Sequence, residues 1–157
     1  TNITLQQLNL SSNDDIGDEG GKALAVALAT NSTLQQLELC SNSIGEEGAK
    51  ALAVALETNN TLQQLNLFNN RFGEEGIKDF VKTMMKNTTL TDLAVHRSGN
   101  NSNDVIQFFV RLNRKGRVRL YSPTPIPLSV WREVVRGPQT ILYFLLRERA
   151  ESLTNHE

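Results

Sequence analysis

One cysteine, one tryptophan, two histidines and four prolines are spread over 157 residues, and each scarcity closes off a class of answer. The lone Cys40 forbids an intrachain disulfide, and with it the cysteine frameworks that hold small secreted domains together. With only His96 and His156 available, no Ser-His-Asp order can be defended. No stretch approaches the roughly 20 apolar residues of a membrane-spanning helix. Apolar content is 39%, ordinary for one folded domain of 17.5 kDa.

The net charge of −1 hides a gradient. Residues 1–79 carry 11 acidic and 4 basic side chains, a net of −7, and residues 80–157 carry 6 and 12, a net of +6. The densest basic run is Arg111, Arg114, Lys115, Arg117 and Arg119. Such a run can mark a nucleic-acid footprint. Here it abuts an acidic half that repels phosphate, and stacking aromatics are few. The balance favours an acidic protein partner over a nucleic acid.

What the chain has in abundance is itself. Thr4–Asn31, Thr33–Asn59 and Thr61–Asn87 are close copies, with TLQQL opening each. Leu34, Leu62 and Leu90 recur at 28 residues, while Leu5 to Leu34 is 29 because one residue is inserted near Asp14 and Asp15. A fixed period of this length predicts stacked units, none of which can bury its apolar face alone. Within each unit the apolar period changes. Leu37 and Leu39 alternate with Gln36, Glu38 and Cys40, the pattern of a strand buried on one face. Ala49, Leu52, Ala53 and Leu56 then fall at i, i+3, i+4 and i+7, the stripe of a helix.

The spacing LxxLxLxxN, followed by Ile44-Gly45 and the helical stripe, resembles the leucine-rich repeat of the ribonuclease-inhibitor type. Three full units and part of a fourth fit it, over about Asn2 to Gly116. The resemblance implies an α/β solenoid, a right-handed horseshoe arc with parallel strands on the concave face and helices on the convex face. Five strand cores are expected: Leu8/Leu10, Leu37/Leu39, Leu65/Leu67, Leu93/Val95 and Val118/Leu120. The repeats then occupy 1–121. Residues 122–157 form a Pro-rich turn and a helical C-terminal cap, over Leu128–Val135 and Thr140–Arg149, because an array's last unit must have its apolar end covered. A docking helix for a partner is the alternative reading of that segment. Thr1-Asn2-Ile3-Thr4 aligns with Thr30-Asn31-Ser32-Thr33, so a fragment of a longer protein is expected, or an N-terminal end covered by self-association.

Several repeated polar residues have structural readings. Asn13, Asn42 and Asn70, at the ends of the strand motifs, are expected to satisfy turn backbone as a ladder. Gly17, Gly45 and Gly73 are expected in a conformation open mainly to glycine. Asp18-Glu19, Glu46-Glu47 and Glu74-Glu75 fall at helix starts, where carboxylates complement the helix dipole better than they suggest catalysis or metal binding. Asn-x-Ser/Thr triplets at Asn2, Asn9, Asn31, Asn59, Asn87 and Asn100 hint at secretion. Most are by-products of the repeat junction, however, and secreted proteins of the resembled family share disulfide-bonded caps, so a cytoplasmic location is the better expectation.

Function is expected on the concave face. Its outward columns read Gln7, Gln36, Gln64, Asp92, Arg117; then Asn9, Glu38, Asn66, Ala94, Arg119; then Ser11, Cys40, Phe68, His96, Tyr121. Phe68, His96 and Tyr121, beside Arg71, Arg97 and Arg119, have the composition of a protein-binding hot spot. A Cys40–His96 nucleophile pair fails on geometry, since two inter-strand steps of about 4.8 Å separate them and Phe68 intervenes. Gly17–Ala23 lacks the spacing of a phosphate loop, and Asn13–Glu19 lacks the alternating oxygens of a calcium loop. The reading is a protein-binding module with no catalytic residue, metal or cofactor. The alternative is a regulatory segment of a larger enzyme or nucleotide-binding receptor.

Overall fold

The structure is a computed structural model that describes residues 2–95 and 101–116, together with the single positions 134, 137, 145 and 147. Four strands alternate with four helices: β1 (Gln7–Asn9), α1 (Gly17–Thr30), β2 (Gln36–Glu38), α2 (Glu46–Thr58), β3 (Gln64–Asn66), α3 (Gly73–Lys86), β4 (Asp92–Ala94) and α4 (Asn101–Arg114). The strands form one parallel sheet in the order β1-β2-β3-β4. Equivalent residues pair without a slip: Leu8 with Leu37, Leu37 with Leu65, Leu65 with Leu93. This is an α/β solenoid. The fifth strand expected at 118–121 lies outside the described residues.

The core fills the space between sheet and helices. Leu37, Leu39, Ile44, Leu52 and Leu56 of the second unit are fully buried. Ala49 and Ala53, also buried, let α2 lie close to the sheet. The third unit fills the same places with Phe72 and Phe80, tilted rings whose centroids are 5.8 Å apart. In α4 burial extends round most of the helix, since Ile106, Phe108, Phe109, Val110 and Leu112 are all inside. The extra face is covered from the C-terminal segment. Val134 and Leu145 are buried, and Gly137 lies so close to Phe108 that a Cβ would fall 2.2 Å from the ring. The remainder of the expected cap, Trp131 included, lies outside the described residues.

Two asparagine ladders link successive units among the described residues. In the first, Asn42 is fully buried; its Nδ2 donates to the Leu10 and Cys40 carbonyls, and its Oδ1 accepts from the Asn13 N–H. Asn70 repeats this one unit on, donating to Leu39 and Leu67 and accepting from the Asn42 and Ile44 N–H groups. Asn13 is exposed and donates only to its own turn, at Leu10 and Ser11. The second ladder stands at the other end of each unit. Asn31, Asn59 and Asn87 close α1, α2 and α3, and each Oδ1 accepts from the N–H groups two and three residues ahead. The Nδ2 groups of Asn59 and Asn87 reach back to the preceding unit, to Leu28 and Asn31 and to Leu56 and Asn59. Asn113 on α4 adds a further step, donating to Asn87 and Leu90.

One glycine expectation needs correction. Gly17 and Gly73 do sit at φ +50 and +52, but Gly45 has φ −92, which any residue can adopt. In that unit Ser43 takes the left-handed conformation instead, at φ 53. Gly45 is small for a different reason. The Asp18 carboxylate of the preceding unit lies against it and accepts from the Gly45 and Gly48 N–H groups at 2.8 and 2.7 Å. A Cβ on Gly45 would stand 2.8 Å from the same carboxylate.

Candidate protein-binding face

Strand alternation sends Leu8, Leu37, Leu65 and Leu93 inward and their neighbours outward, so parallel register stacks the outward residues into columns. Gln7, Gln36, Gln64 and Asp92 form one column; Asn9, Glu38, Asn66 and Ala94 form the next. Beyond the strands, Ser12 N–H donates to Cys40 C=O and Ser41 N–H to Phe68 C=O, which carries the same stacking into the third column of Ser11, Cys40 and Phe68. The wall is polar and held by short-range bonds. Gln36 Nε2 donates to Glu38 Oε1 at 3.2 Å, and Asn66 Oδ1 accepts from Phe68 N–H at 3.0 Å.

Phe68 is half-buried at the end of this wall, and Arg71 is exposed in the turn that follows. These two of the six proposed contact residues are placed; His96, Arg97, Arg119 and Tyr121 lie outside the described residues. The Cys40 thiol is half-buried, 3.4 Å from Ser41 Oγ, and its considered partner His96 is not among the described residues. No group of three His, Cys, Asp or Glu side chains able to hold a metal ion occurs among the described residues. No helix among them is long and apolar enough to cross a membrane.

Charge is distributed unevenly over the surface. Lys22, Lys78 and Lys82 on the helices each donate to a carboxylate three residues earlier, Glu19, Glu75 and Asp79. That hydrogen bond, with the carboxylate's charge, raises each ammonium above its ordinary pKa. At the other end of the sheet, Arg114 reaches from α4 to Asp92 at 3.3 Å. It also donates through Nε to Thr91 C=O, while Gln107 Nε2 donates to Leu93 C=O. The equivalent carbonyl of Gln63 receives the next strand's N–H groups, from Thr91 and Asp92. Side chains of α4 therefore occupy acceptors that face outward from β4. Grooves also lie on the surface of the described residues. A polar one of about 570 Å³ runs below the strands past Gln6, Gln35 and Gln63. An apolar one of about 490 Å³ lies between α1 and α2, beside the exposed Val26 and Val54.

A family model described as a leucine-rich repeat matches residues 1–25, 30–53 and 58–81, one match to each of the first three strand–helix units. The chain is a leucine-rich-repeat protein. Its repeats are of the ribonuclease-inhibitor type, with a full helix on the outer side of each unit. Among solved structures, it is similar to leiomodin-1 actin-binding site 2, at 18% identity and a TM-score of 0.60, over 96% of this chain and 86% of that one. It is also similar to the tropomodulin C-terminal domain of Caenorhabditis elegans, at 17% identity and a TM-score of 0.50, over 76% of this chain and 89% of that one. At such identities the likeness is one of fold. No curated protein matches the chain.

Sequence reasoning missed two features of these repeats. The asparagines of the second ladder were visible only as recurring Asn-x-Thr triplets, although a polar residue repeated at 28-residue spacing at every helix end already signals a repeated backbone task. Asp18 stands in the first turn of α1, as the dipole reading expects, but its hydrogen bonds go to the next helix. Nothing in a single unit's sequence marks that crossing.

Proposed function

We propose that this leucine-rich-repeat chain is a protein-binding module with no catalytic chemistry of its own, and that its partner docks on the C-terminal half of the concave face. The in-register columns are the observation that carries the reading. They turn separate outward residues into one continuous wall that changes from amides to Phe68 as it rises. By sequence spacing the same column continues to His96 and Tyr121, with Arg71, Arg97 and Arg119 beside it. Large rigid aromatics next to arginines bury area at little entropic cost and dominate interface energies. Leiomodin-1 actin-binding site 2 has the same fold, which supports protein binding as a use of this architecture. The basic C-terminal half favours an acidic partner surface.

The test is a pull-down followed by titration of the captured protein. Phe68→Ala and Tyr121→Ala should weaken it most, His96→Ala less, and each variant should keep the wild-type melt. Arg119→Glu should slow association and flatten its salt dependence. Ser11→Ala and Asn9→Ala should have little effect. Loss of binding through Val26 or Val54 on the helices, with the concave aromatics silent, overturns the assignment.

In this reading the N-terminal end is covered either by a preceding repeat of a longer protein or by self-association. Among the described residues β1 is an edge of the sheet. Ile3 and Leu5 are 74% and 39% exposed, and Leu8, Leu10, Ile16 and Leu24 are only partly covered. A sheet edge with adjacent apolar surface is a template for pairing with another chain. Sedimentation across a concentration range checks this, and Leu5→Lys should abolish any association it detects.

A further inference from the structure

The fold separates four of the Asn-x-Ser/Thr triplets into two kinds. Asn2 and Asn9 are exposed, and in both it is the side-chain carbonyl that is engaged, accepting from Thr4 and Leu5 or from Ser11 N–H. Asn59 and Asn87 are 6% and 4% exposed, and both hydrogens of each Nδ2 are used. Asn59 donates to Leu28 C=O at 2.8 Å and to Asn31 C=O at 3.1 Å; Asn87 donates to Leu56 C=O at 2.8 Å and to Asn59 C=O at 3.3 Å. Every one of these acceptors belongs to the preceding unit.

N-glycosylation acts on that same nitrogen. An oligosaccharide is transferred from a lipid pyrophosphate donor: the Nδ2–C1 bond forms, the C1–O bond to the pyrophosphate breaks with its electron pair, and one amide proton is lost. The product is a bulky group suited to a surface position. At Asn59 or Asn87 it removes one of two buried donors and sets a sugar ring where the preceding unit's backbone stands at 2.8 Å. The triplet is readable only before the units stack.

We propose that Asn59 and Asn87 are glycosylation sites of the unfolded chain alone, and that an oligosaccharide at either one blocks stacking of its unit on the one before. The solenoid is thereby restricted to compartments without oligosaccharide transfer, although Asn2 and Asn9 tolerate the same modification in the folded state.

The experiment directs the chain into the secretory pathway of cultured eukaryotic cells with an added signal peptide. One arm is unmodified. A second adds an inhibitor of lipid-linked oligosaccharide synthesis. A third carries Thr61→Ala and Thr89→Ala, which abolish the two triplets and keep both asparagines. The hydroxyls removed make only long bonds of 3.3–3.4 Å, and cytosolic expression with a urea melt establishes that this double variant folds. Glycopeptide mass spectrometry reads occupancy, and circular dichroism reads folding of the secreted fraction. The unmodified arm should carry glycan at Asn59 or Asn87 and secrete about tenfold less folded protein than either other arm, the factor that loss of one buried donor sets on folding. Folded, secreted protein bearing glycan at Asn59 or Asn87 overturns the proposal. So does equal secretion in the unmodified and inhibited arms. Rescue by the inhibitor without rescue by a double variant that folds in the cytosol assigns the block to other triplets, and also overturns it.

Discussion

The first and second repeats contain the same heptapeptide, Lys-Ala-Leu-Ala-Val-Ala-Leu, at Lys22–Leu28 and Lys50–Leu56, and the same strand entry, Thr-Leu-Gln-Gln-Leu. Their burial differs. Leu37 and Leu52 are fully buried, while Leu8 and Leu24 are half-covered; Ala55 is buried and Ala27 exposed. Identical residues with identical local structure thus have different environments, because the second unit has a neighbour on both sides and the first has one. Burial in this molecule is conferred by the adjacent repeat. Stability should accordingly follow nearest-neighbour contacts more than local sequence.

That comparison can be broken by paired substitutions. The largest gap should appear between Leu37→Ala, at about 2–5 kcal/mol for a fully buried leucine, and Leu8→Ala, at about half that or less. Equal shifts in urea melts would mean that the first unit is as well covered in solution as the second. Next in size, Asn42→Ala and Asn59→Ala should each cost about 1–3 kcal/mol, since each leaves buried carbonyls and N–H groups unpaired. Asn13→Ala, whose exposed amide serves only its own turn, should cost well under about 1 kcal/mol. Asp18→Ala sharpens the point further. It lies in the less buried unit yet should destabilise by about 0.5–2 kcal/mol through the uncapped start of α2. Hydrogen exchange should show the loss at Gly45 and Gly48, and Glu46→Ala should leave the start of α3 unchanged. Smallest of all, Gln36→Ala on the concave wall should change stability by less than about 0.5 kcal/mol.

The parts of the fold legible in the sequence are those whose cause lies within one repeat. The alternation around Leu37 and Leu39 and the helical stripe through Leu52 and Leu56 each need only local periodicity. Stacking them at 28 residues also yields the order of the concave columns, down to Cys40 beside Phe68. What could not be read depends on two units at once. Asp18 binds across to Gly45, Asn59 reaches back to Leu28, and Gly45 is small because of a carboxylate 27 residues earlier in the chain. The two-sided burial of α4 belongs to the same class. Phe108 and Phe109 point to a bulkier core, but the close approach of Gly137 to Phe108, with Val134 and Leu145 also buried, depends on the C-terminal segment. Of the candidate site, the sequence supplied a composition, and the register supplied the wall that ends at Phe68, with Arg71 in the turn beyond it.

The occupation of the Thr91 and Leu93 carbonyls by Arg114 and Gln107 gives the array a direction. In the language of polymerisation, two outward acceptors of β4 are end-capped by side chains of α4. Backbone donors arriving at β4 would have to displace two side-chain donors already in place, one of them a guanidinium that is also paired with Asp92. Among the described residues, α4 thereby closes its own strand as well as its own share of the core.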